Sequence, residues 1–372
     1  MEENFDPVYG ESILYNEEFD CIWKDDYMEA MQDKILTAKY IKKGSSCNLK
    51  RLKEKIKKNK DNIEFIGSGA YASAYMIDEN NTEYEHNTYV VKNCAYQEDE
   101  HINDIEENVN CEVRMIKHLN NFIFNSISPH ILLYIKHAQC TACNNPSMRI
   151  VTEVCRSNVE ELSNEEWPYL KNMDIIIFQV LYTLHCIQSV YPEWRHNDLK
   201  IDNVFIDKVA EDDYYYKIQN KFFKISTDMF AKISDFGLAH LPNIIINKAV
   251  YPNPELDWDP TTNGMRPTQN RYYDMHMFLN EINIEYVDDY AKSTLDTNMV
   301  NLIKDMLPDQ YRSDVYVKGN KLKTNKKTAL SEHCLLEDIE YKQPIDALMN
   351  YFGHFEVSCD SIPEDANIFS LN

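Results

Sequence analysis

One short run of the sequence places a carboxylate, an ammonium and an amide close together. Residues 196–203 read His-Asn-Asp-Leu-Lys-Ile-Asp-Asn, and the apolar residues 204–206 follow them. In phosphoryl transfer a carboxylate can orient a hydroxyl and accept its proton, an ammonium can offset developing negative charge, and an amide oxygen can bind Mg²⁺. Asp198, Lys200 and Asn203 are the candidates for these three tasks.

A further carboxylate follows a predicted strand later in the chain. The triplet Asp235-Phe236-Gly237 comes shortly after the apolar residues 230–233. A carboxylate presented beside a flexible glycine can hold a metal ion that bridges two phosphate oxygens. Asp235 therefore joins Asn203 as a candidate metal ligand.

Two features upstream could hold the phosphates of a nucleotide. Gly67-Ser68-Gly69 lies between two strand-like runs, where backbone N–H groups can approach a polyphosphate, although a plain tight turn has the same pattern. Lys92 ends the apolar residues 89–91, and Glu112, in a later helical run, is the candidate carboxylate that would fix its ammonium. The order of the four features carries the prediction, because each alone also occurs by chance.

The predicted elements around these residues change from strands to helices along the chain. The predicted strands are 63–67, 74–77, 88–92, 130–135 and 148–154, and the predicted helices are 102–119 and 173–187. Residues 207–228, which contain Tyr214-Tyr215-Tyr216, are predicted to extend a hairpin with the tyrosines packed.

The chain is predicted to divide into three parts. These are a helical N-terminal extension (1–60), a small sheet-rich lobe (61–157) and a larger helical lobe (158–372) that ends in an acidic C-terminal tail on the surface. Basic residues crowd 39–60, with Leu49, Leu52 and Ile56 on one helical face. This pattern predicts a helix with a solvated basic face, or a docking site for an acidic partner.

Composition argues against several kinds of partner. The 372 residues carry a formal net charge of -23, which opposes general binding to nucleic acids or anionic membranes. Residues 1–6 are acidic and contain no apolar run, so we expect no secretory leader. The apolar residues 173–187 are predicted to form a buried helix too short to cross a bilayer. Ten scattered cysteines suit reduced thiols. We expect a cytoplasmic protein with no membrane span.

In its ordered motifs the sequence resembles the eukaryotic-type protein kinase superfamily over residues 63–312. It looks like a divergent member similar to serine/threonine kinases of large DNA viruses, a likeness carried by residues 256–260 and 273–280. The resemblance implies an α+β, bilobal fold with a small antiparallel-sheet N-lobe and a larger, mainly helical C-lobe. It implies transfer of the gamma-phosphate of ATP, with Mg²⁺ or Mn²⁺, to serine or threonine hydroxyls of an unidentified protein substrate, in the host cytoplasm or virion if the protein is viral.

The resemblance also implies a role for each motif residue. The phosphate-covering loop would contain Gly67, Ser68, Gly69 and Ala72, and the adenine site would be formed by the gatekeeper Thr152 and the hinge residues Glu153 and Cys155 through backbone groups. Lys92 would contact phosphates with Glu112 as its partner, Asp198 would be the catalytic base, Lys200 the loop lysine, and Asn203 and Asp235 the metal ligands. Asp274 would support the catalytic loop, Asn253-Pro254-Glu255 would end the activation segment, and Arg312 would pair with that motif.

Three positions depart from the family pattern. Ala72 replaces a third glycine and Ala74 replaces a valine that packs on adenine, which predicts modest nucleotide affinity. Asn197 replaces the arginine that pairs with a phosphate on the activation segment. Activity is therefore predicted not to require phosphorylation of that segment.

Two other functions stay open. A small-molecule kinase of the aminoglycoside or choline type has a similar loop, although Lys200 and the intact Asp235-Phe236-Gly237 favour a protein substrate. A catalytically weak pseudokinase that serves as a scaffold is the other, suggested by Ala72, Asn197 and the long N-terminal extension but opposed by the complete set of phosphate and metal ligands. Separately, His137, Cys140 and Cys143 are spaced like three ligands of a zinc site, which would need a fourth.

Overall fold

The structure, a computed structural model, describes residues 62–68, 72–79, 87–96, 102–140, 146–162, 172–252, 272–283, 286, 295–307, 315–318, 321–324 and 342–371. The predicted extension, with its basic segment 39–60, lies outside these residues, as do Gly69, Cys143, the motif 253–255 and Arg312. The predictions for those positions therefore stay predictions.

Short apolar strands form an antiparallel sheet early in the chain. Its strands are β1 (Asn62–Ser68), β2 (Ala72–Glu79), β3 (Asn87–Ala95), β4 (Tyr134–Cys140) and β5 (Ser147–Thr152), in the order β1-β2-β3-β5-β4. All neighbours in the sheet are antiparallel, as predicted. The predicted strand 130–135 begins too early, because His130 and Leu132 bond through their backbones to Ile233, outside this sheet.

Helix α1 (Asn108–Phe124) packs its buried apolar face near strands β4 and β5. The predicted start at residue 102 was wrong. The Asp104 side chain accepts the N–H of Glu106 at 3.0 Å, and the Asn110 amide donates to the Asp104 carbonyl at 2.6 Å. Such local bonds compete with helical ones and hold a turn, so the helix begins only after Glu107.

A second long helix forms the centre of the core. After β6 (Ser157–Asn158) and α2 (Val159–Leu162) comes α3 (Met173–Val190). With 18 residues and a mean hydropathy of 1.4, α3 is long and apolar enough to cross a membrane. The prediction that it is too short to do so was therefore wrong. Core helices of globular folds can have the same length and hydropathy. In this protein 78% of the helix is buried inside the fold, as predicted.

A long antiparallel hairpin follows residues 196–203. It consists of β7 (Val204–Ile218) and β8 (Lys221–Ile233), and its existence confirms the predicted hairpin. Tyr214, Tyr215 and Tyr216 are all buried, which confirms their predicted packing. The Tyr216 hydroxyl lies 2.9 Å from Nε2 of His130, so the hairpin also contacts the segment between α1 and β4.

The remaining described elements lie further along the chain. They are α4 (Tyr273–Ile282), α5 (Thr297–Met306), the paired strands β9 (Val315–Lys318) and β10 (Lys321–Thr324), α6 (Pro344–Tyr351), β11 (Glu356–Val357) and β12 (Ile368–Ser370). Helix α6 begins at Pro344, whose ring suits a first helical position, and Gln343 and Asp346 form a capping box there.

Residues 363–365 of the predicted acidic tail are exposed, but residues 368–370 form a strand that completes a second sheet. Strand β11 pairs with β8, and β12 pairs with β7 in parallel, giving the order β11-β8-β7-β12 with β6 also on β7. The acidic composition of residues 360–372 concealed a short apolar strand. The prediction of a mainly helical C-lobe was therefore incomplete, because the described residues after 157 form this sheet as well as helices.

Phe369 attaches β12 to the core. Its side chain is 1% exposed and packs with the rings of His130, Tyr214, Tyr216 and Phe230. Its neighbour Ile368 is 37% exposed. The two side chains of one strand thus differ sharply in burial.

We expect Phe369→Ala to lower the free energy of unfolding by about 3–5 kcal/mol, because it removes a buried ring and leaves a cavity. Urea unfolding followed by circular dichroism measures the loss. Ile368→Ala is the matched control and should cost less than about 1 kcal/mol. Equal losses for the two variants would contradict the observed burial.

Candidate active site

The ammonium of Lys92 lies between two carboxylates. Its Nζ is 2.7 Å from Oε1 of Glu112 and 2.8 Å from Oδ1 of Asp235. Lys92 belongs to strand β3, Glu112 to helix α1, and Asp235 follows strand β8. The predicted pair of Lys92 and Glu112 is therefore present, and the contact to Asp235 joins a third part of the chain to it.

The charges of Lys92 and Asp235 stabilise each other, whereas burial and the charge of Asp235 raise the pKa of Glu112. Burial lowers the pKa of Lys92, but the carboxylates of Asp235 and Glu112 outweigh it and hold that pKa well above the usual value. Burial raises the pKa of Asp235, but the charge and hydrogen bond of Lys92 outweigh it and hold that pKa below the usual value. Lys92 and Asp235 are therefore an ion pair at neutral pH.

Residues 196–203 are held in place from helix α4. The carboxylate of Asp274 accepts the backbone N–H of His196 at 2.8 Å and that of Asn197 at 2.9 Å. Nε2 of His196 also lies 2.8 Å from the carbonyl oxygen of Ser234, next to Asp235. The predicted support of this loop by Asp274 is confirmed.

Asp198, Lys200 and Asn203 come together within the loop. The Asn203 amide donates to the Asp198 carbonyl at 2.8 Å and to Oδ2 of Asp198 at 3.0 Å. Nζ of Lys200 is 3.7 Å from that Oδ2. Burial raises the pKa of the Asp198 carboxyl, and Lys200 opposes the rise. Because Nδ2 of Asn203 points at Asp198, its Oδ1 is the atom available as an oxygen ligand.

The loop between β1 and β2 is described in part. Gly67 and Ser68 end β1, and Ala72 begins β2. Among the described residues, a Cβ added at Gly67 would meet no atom within 4 Å. Packing against the described residues therefore does not require glycine at this position, and the pairing of β1 with β2 has a β-bulge between Phe65 and Gly67.

The predicted hinge differs from expectation at one residue. Thr152 is buried at the end of β5, and Cys155 is half-buried beyond it. The Glu153 carboxylate points inward, where Oε1 accepts the Leu133 N–H at 2.8 Å and lies 3.2 Å from Nζ of Lys232. The Glu153 N–H donates to the Leu133 carbonyl at 3.1 Å. These two groups of Glu153 are thus engaged within the fold.

Comparison with known proteins gives the family. A model of the protein kinase domain matches residues 61–247, about half of the chain. The chain belongs to the protein kinase domain family. Two similar proteins come from Acanthamoeba polyphaga mimivirus, so this kinase resembles kinases of a large DNA virus, as predicted.

The two viral relatives are longer than the matched regions. "Putative serine/threonine-protein kinase R400" is 25% identical over 315 residues, which cover 70% of this chain and 62% of the relative. "Putative serine/threonine-protein kinase R301" is 26% identical over 204 residues, which cover 48% of this chain and 50% of the relative. The kinase chain thus spans between half and two thirds of the length of these relatives.

Two charged residues that contact elements of the site were missed in the sequence. Lys232 lies in the otherwise apolar residues 229–233. This pattern indicates a buried charge that needs a partner, but it does not identify Glu153 as that partner. Glu281, at the end of α4, accepts the Ile201 N–H at 3.0 Å. Burial raises the pKa of Glu281 to about 7, against the effect of that hydrogen bond.

The predicted zinc ligands are not brought together within the described residues. No group of three or more His, Cys, Asp and Glu side chains there could hold a metal ion. Nδ1 of His137 lies beside the Tyr134 hydroxyl, and Cys143 is outside the described ranges. The full zinc set therefore stays a prediction.

The pair Lys232–Glu153 gives a test of stability near the site. The two side chains are 0% and 1% exposed, so we expect Lys232→Met to cost about 3–5 kcal/mol by leaving a buried carboxylate without this ammonium. Adding Glu153→Gln, which keeps an acceptor for Leu133, should recover much of the loss in chemical denaturation. A double variant as unstable as Lys232→Met would show that the ion pair does not cause the loss.

The raised pKa of Glu281 predicts how the stability of the protein depends on pH. Its folded pKa lies above its ordinary value of 4.5, so ionisation destabilises the folded kinase above pH 7, and this effect fades as the pH falls toward 4.5. We expect Glu281→Gln to be more stable than the wild type at alkaline pH by roughly 1–3 kcal/mol, with the difference shrinking in acid. Thermal unfolding across this pH range measures it, with the exposed Glu193→Gln as control. A difference that does not change with pH would contradict the raised pKa.

Proposed function

We propose that this kinase transfers the gamma-phosphate of ATP to serine or threonine hydroxyls of protein substrates. The observation that carries the proposal is the contact of Lys92 with Glu112 and Asp235, beside a loop that orients Asp198 and Asn203. Phosphoryl transfer depends mainly on positioned charges and not on covalent chemistry by the protein. An arrangement that fixes charged groups from separate elements is suited to that task.

The proposed roles follow from the charges and contacts of each side chain. Lys92, held charged by its two carboxylates, would bind the phosphates of ATP. Asp198 would accept a hydrogen bond from the substrate hydroxyl and take its proton. Lys200, near the Asp198 carboxylate, would offset negative charge on the transferred phosphoryl group.

A divalent metal fits the oxygen atoms of two residues. Asn203 donates to Asp198 through Nδ2, which leaves its Oδ1 as a candidate ligand, and Asp235 offers a carboxylate. Mg²⁺ prefers oxygen ligands of these two kinds. We propose that these two residues hold Mg²⁺ or Mn²⁺. When bound, such an ion neutralises charge on the phosphate oxygens.

The adenine ring would lie between the small sheet and the hinge. Thr152 would limit the depth of the adenine site, and backbone groups at Glu153 and Cys155 would face the ring. The carboxylate of Glu153 points inward to the Leu133 N–H, so any contact of Glu153 with the ring would use its backbone. Ala72 would contribute less conformational freedom to the loop over the phosphates than a third glycine would.

Serine or threonine is proposed as the acceptor on two grounds. Lys200 stands in the loop position that the resemblance associates with this class, and both viral relatives carry serine/threonine-protein kinase in their names. A small-molecule kinase and a pseudokinase scaffold make different predictions in the same assay.

We expect the purified full chain to transfer labelled phosphate from ATP to general protein substrates when Mg²⁺ is present, with phosphoserine or phosphothreonine as product. Asp198→Asn removes the proton acceptor with little change of shape, and should lower kcat by about 100- to 10,000-fold. Chelation with EDTA should abolish transfer, and added Mg²⁺ should restore it.

Each alternative has its own outcome. If the wild type and Asp198→Asn both fold and bind ATP but neither transfers phosphate, the scaffold function is favoured. Label that appears on amino alcohols or aminoglycosides but not on proteins would favour a small-molecule kinase. Label found on phosphotyrosine alone would overturn the proposed serine/threonine specificity.

A further inference from the structure

Three successive carbonyl groups just after Asp235 accept hydrogen bonds from two asparagine amides. Nδ2 of Asn247 donates to the carbonyl of Gly237 at 2.7 Å and to that of Ala239 at 3.1 Å. Nδ2 of Asn197 donates to the intervening carbonyl of Leu238 at 2.8 Å. Two neutral side chains thus hold the backbone that leads away from Asp235.

Asn197 is itself fixed in the catalytic loop. It is 1% exposed, and its N–H is bound by Asp274, as is that of His196. Its φ of 65° is left-handed, a conformation that asparagine adopts more readily than most residues other than glycine. The amide can therefore reach Leu238 from a backbone that helix α4 already holds.

Asn247 is fixed from the other side. It is fully buried, its backbone N–H donates to Nδ1 of His240 at 3.2 Å, and its Oδ1 accepts the N–H of Ala249 at 3.0 Å. Its amide is thereby aimed back at the carbonyls of Gly237 and Ala239. Residues 237–249 thus fold back on themselves around one side chain.

The same segment is attached to the start of helix α1. Lys248 pairs with Asp104 and lies 3.4 Å from Glu107, and its N–H donates to the Glu106 carbonyl at 3.0 Å. Arg114 donates to the Ile244 carbonyl at 3.0 Å. Helix α1 carries Glu112, so these contacts connect the segment to both partners of Lys92.

The lack of a side chain at Gly237 lets the backbone of this segment approach the start of helix α1 closely. A Cβ at this position would lie 3.0 Å from Oδ1 of Asn108 and 3.4 Å from Oδ1 of Asp235. The backbone at Gly237 therefore runs directly against the first residue of α1 and against Asp235. A shift of this backbone would displace the carboxylate that contacts Lys92.

We propose that Asn197 and Asn247 are positioning residues that keep Asp235 in place without a phosphate on the segment 237–250. Asn197 stands where the family has a phosphate-binding arginine, and its shorter amide bonds to the segment directly. Asn247 supplies the second donor from within the segment. This inference rests on the proposed kinase activity and adds to it how the segment is held.

The test uses two variants that remove the donors from different sides. Asn197→Gly keeps a residue that tolerates a positive φ, and Asn247→Ala removes the buried amide. Asn243→Gly is the matched control, because Asn243 is exposed in the same segment and has the same φ of 65°. All are made in the full chain after phosphatase treatment.

We expect the wild type to keep its rate after phosphatase treatment. Each of the two test variants should lower kcat by about 10- to 100-fold, while KM for a peptide substrate changes by less than about twofold. Asn243→Gly should match the wild type. Hydrogen–deuterium exchange should become faster over residues 235–250 in the two test variants and stay unchanged in strands β3 and β5.

Several outcomes would overturn the inference. One is a large loss of wild-type rate on phosphatase treatment, and another is wild-type kcat in both test variants. If the wild-type chain transfers no phosphate to any substrate, the proposed function fails, and the exchange measurement still decides the positioning role. Unchanged exchange over residues 235–250 in the two test variants would then overturn it. If one variant does not fold, the other gives the same test from the opposite side.

Discussion

The ammonium of Lys92 lies between two carboxylates from distant parts of the chain, and the rest of the site depends on that contact. Without it, Glu112 and Asp235 would bring like charges together in a partly buried place, which is unfavourable. With it, the small sheet, helix α1 and the segment after β8 share one electrostatic centre. Every element that fixes one of these three residues therefore influences the other two.

The local motifs were predictable because the residues that carry their chemistry are close together in the sequence. Asp198, Lys200 and Asn203 lie in a single run, and the strands around Lys92 follow from short apolar stretches. The meander of β1, β2 and β3 and the tyrosine-rich hairpin were predictable for the same reason, whereas the pairing of β3 with the more distant β5 followed from the family resemblance. In the loop, the meander and the hairpin the deciding interactions are close in sequence.

Contacts between distant segments were not predictable in the same way. Lys232 in an apolar strand indicates that a buried charge needs a partner, but periodicity cannot select Glu153. Asn247 carries no sequence signal, because its role depends on how the backbone of Gly237 turns. Strand β12 was hidden by acidic residues that precede it, and the start of helix α1 was masked by the local bonds of Asp104.

The parallel pairing of β12 with β7 has a consequence for how the molecule is made. Ile368 aligns with Tyr215, so about 150 residues must be synthesised between the two strands. On the ribosome, where earlier segments fold first, β7 would leave the exit tunnel long before its neighbour exists. Until then the hairpin has an open edge and the pocket around His130 lacks Phe369. The nascent chain would therefore pass through a stage in which this edge needs protection from other strands.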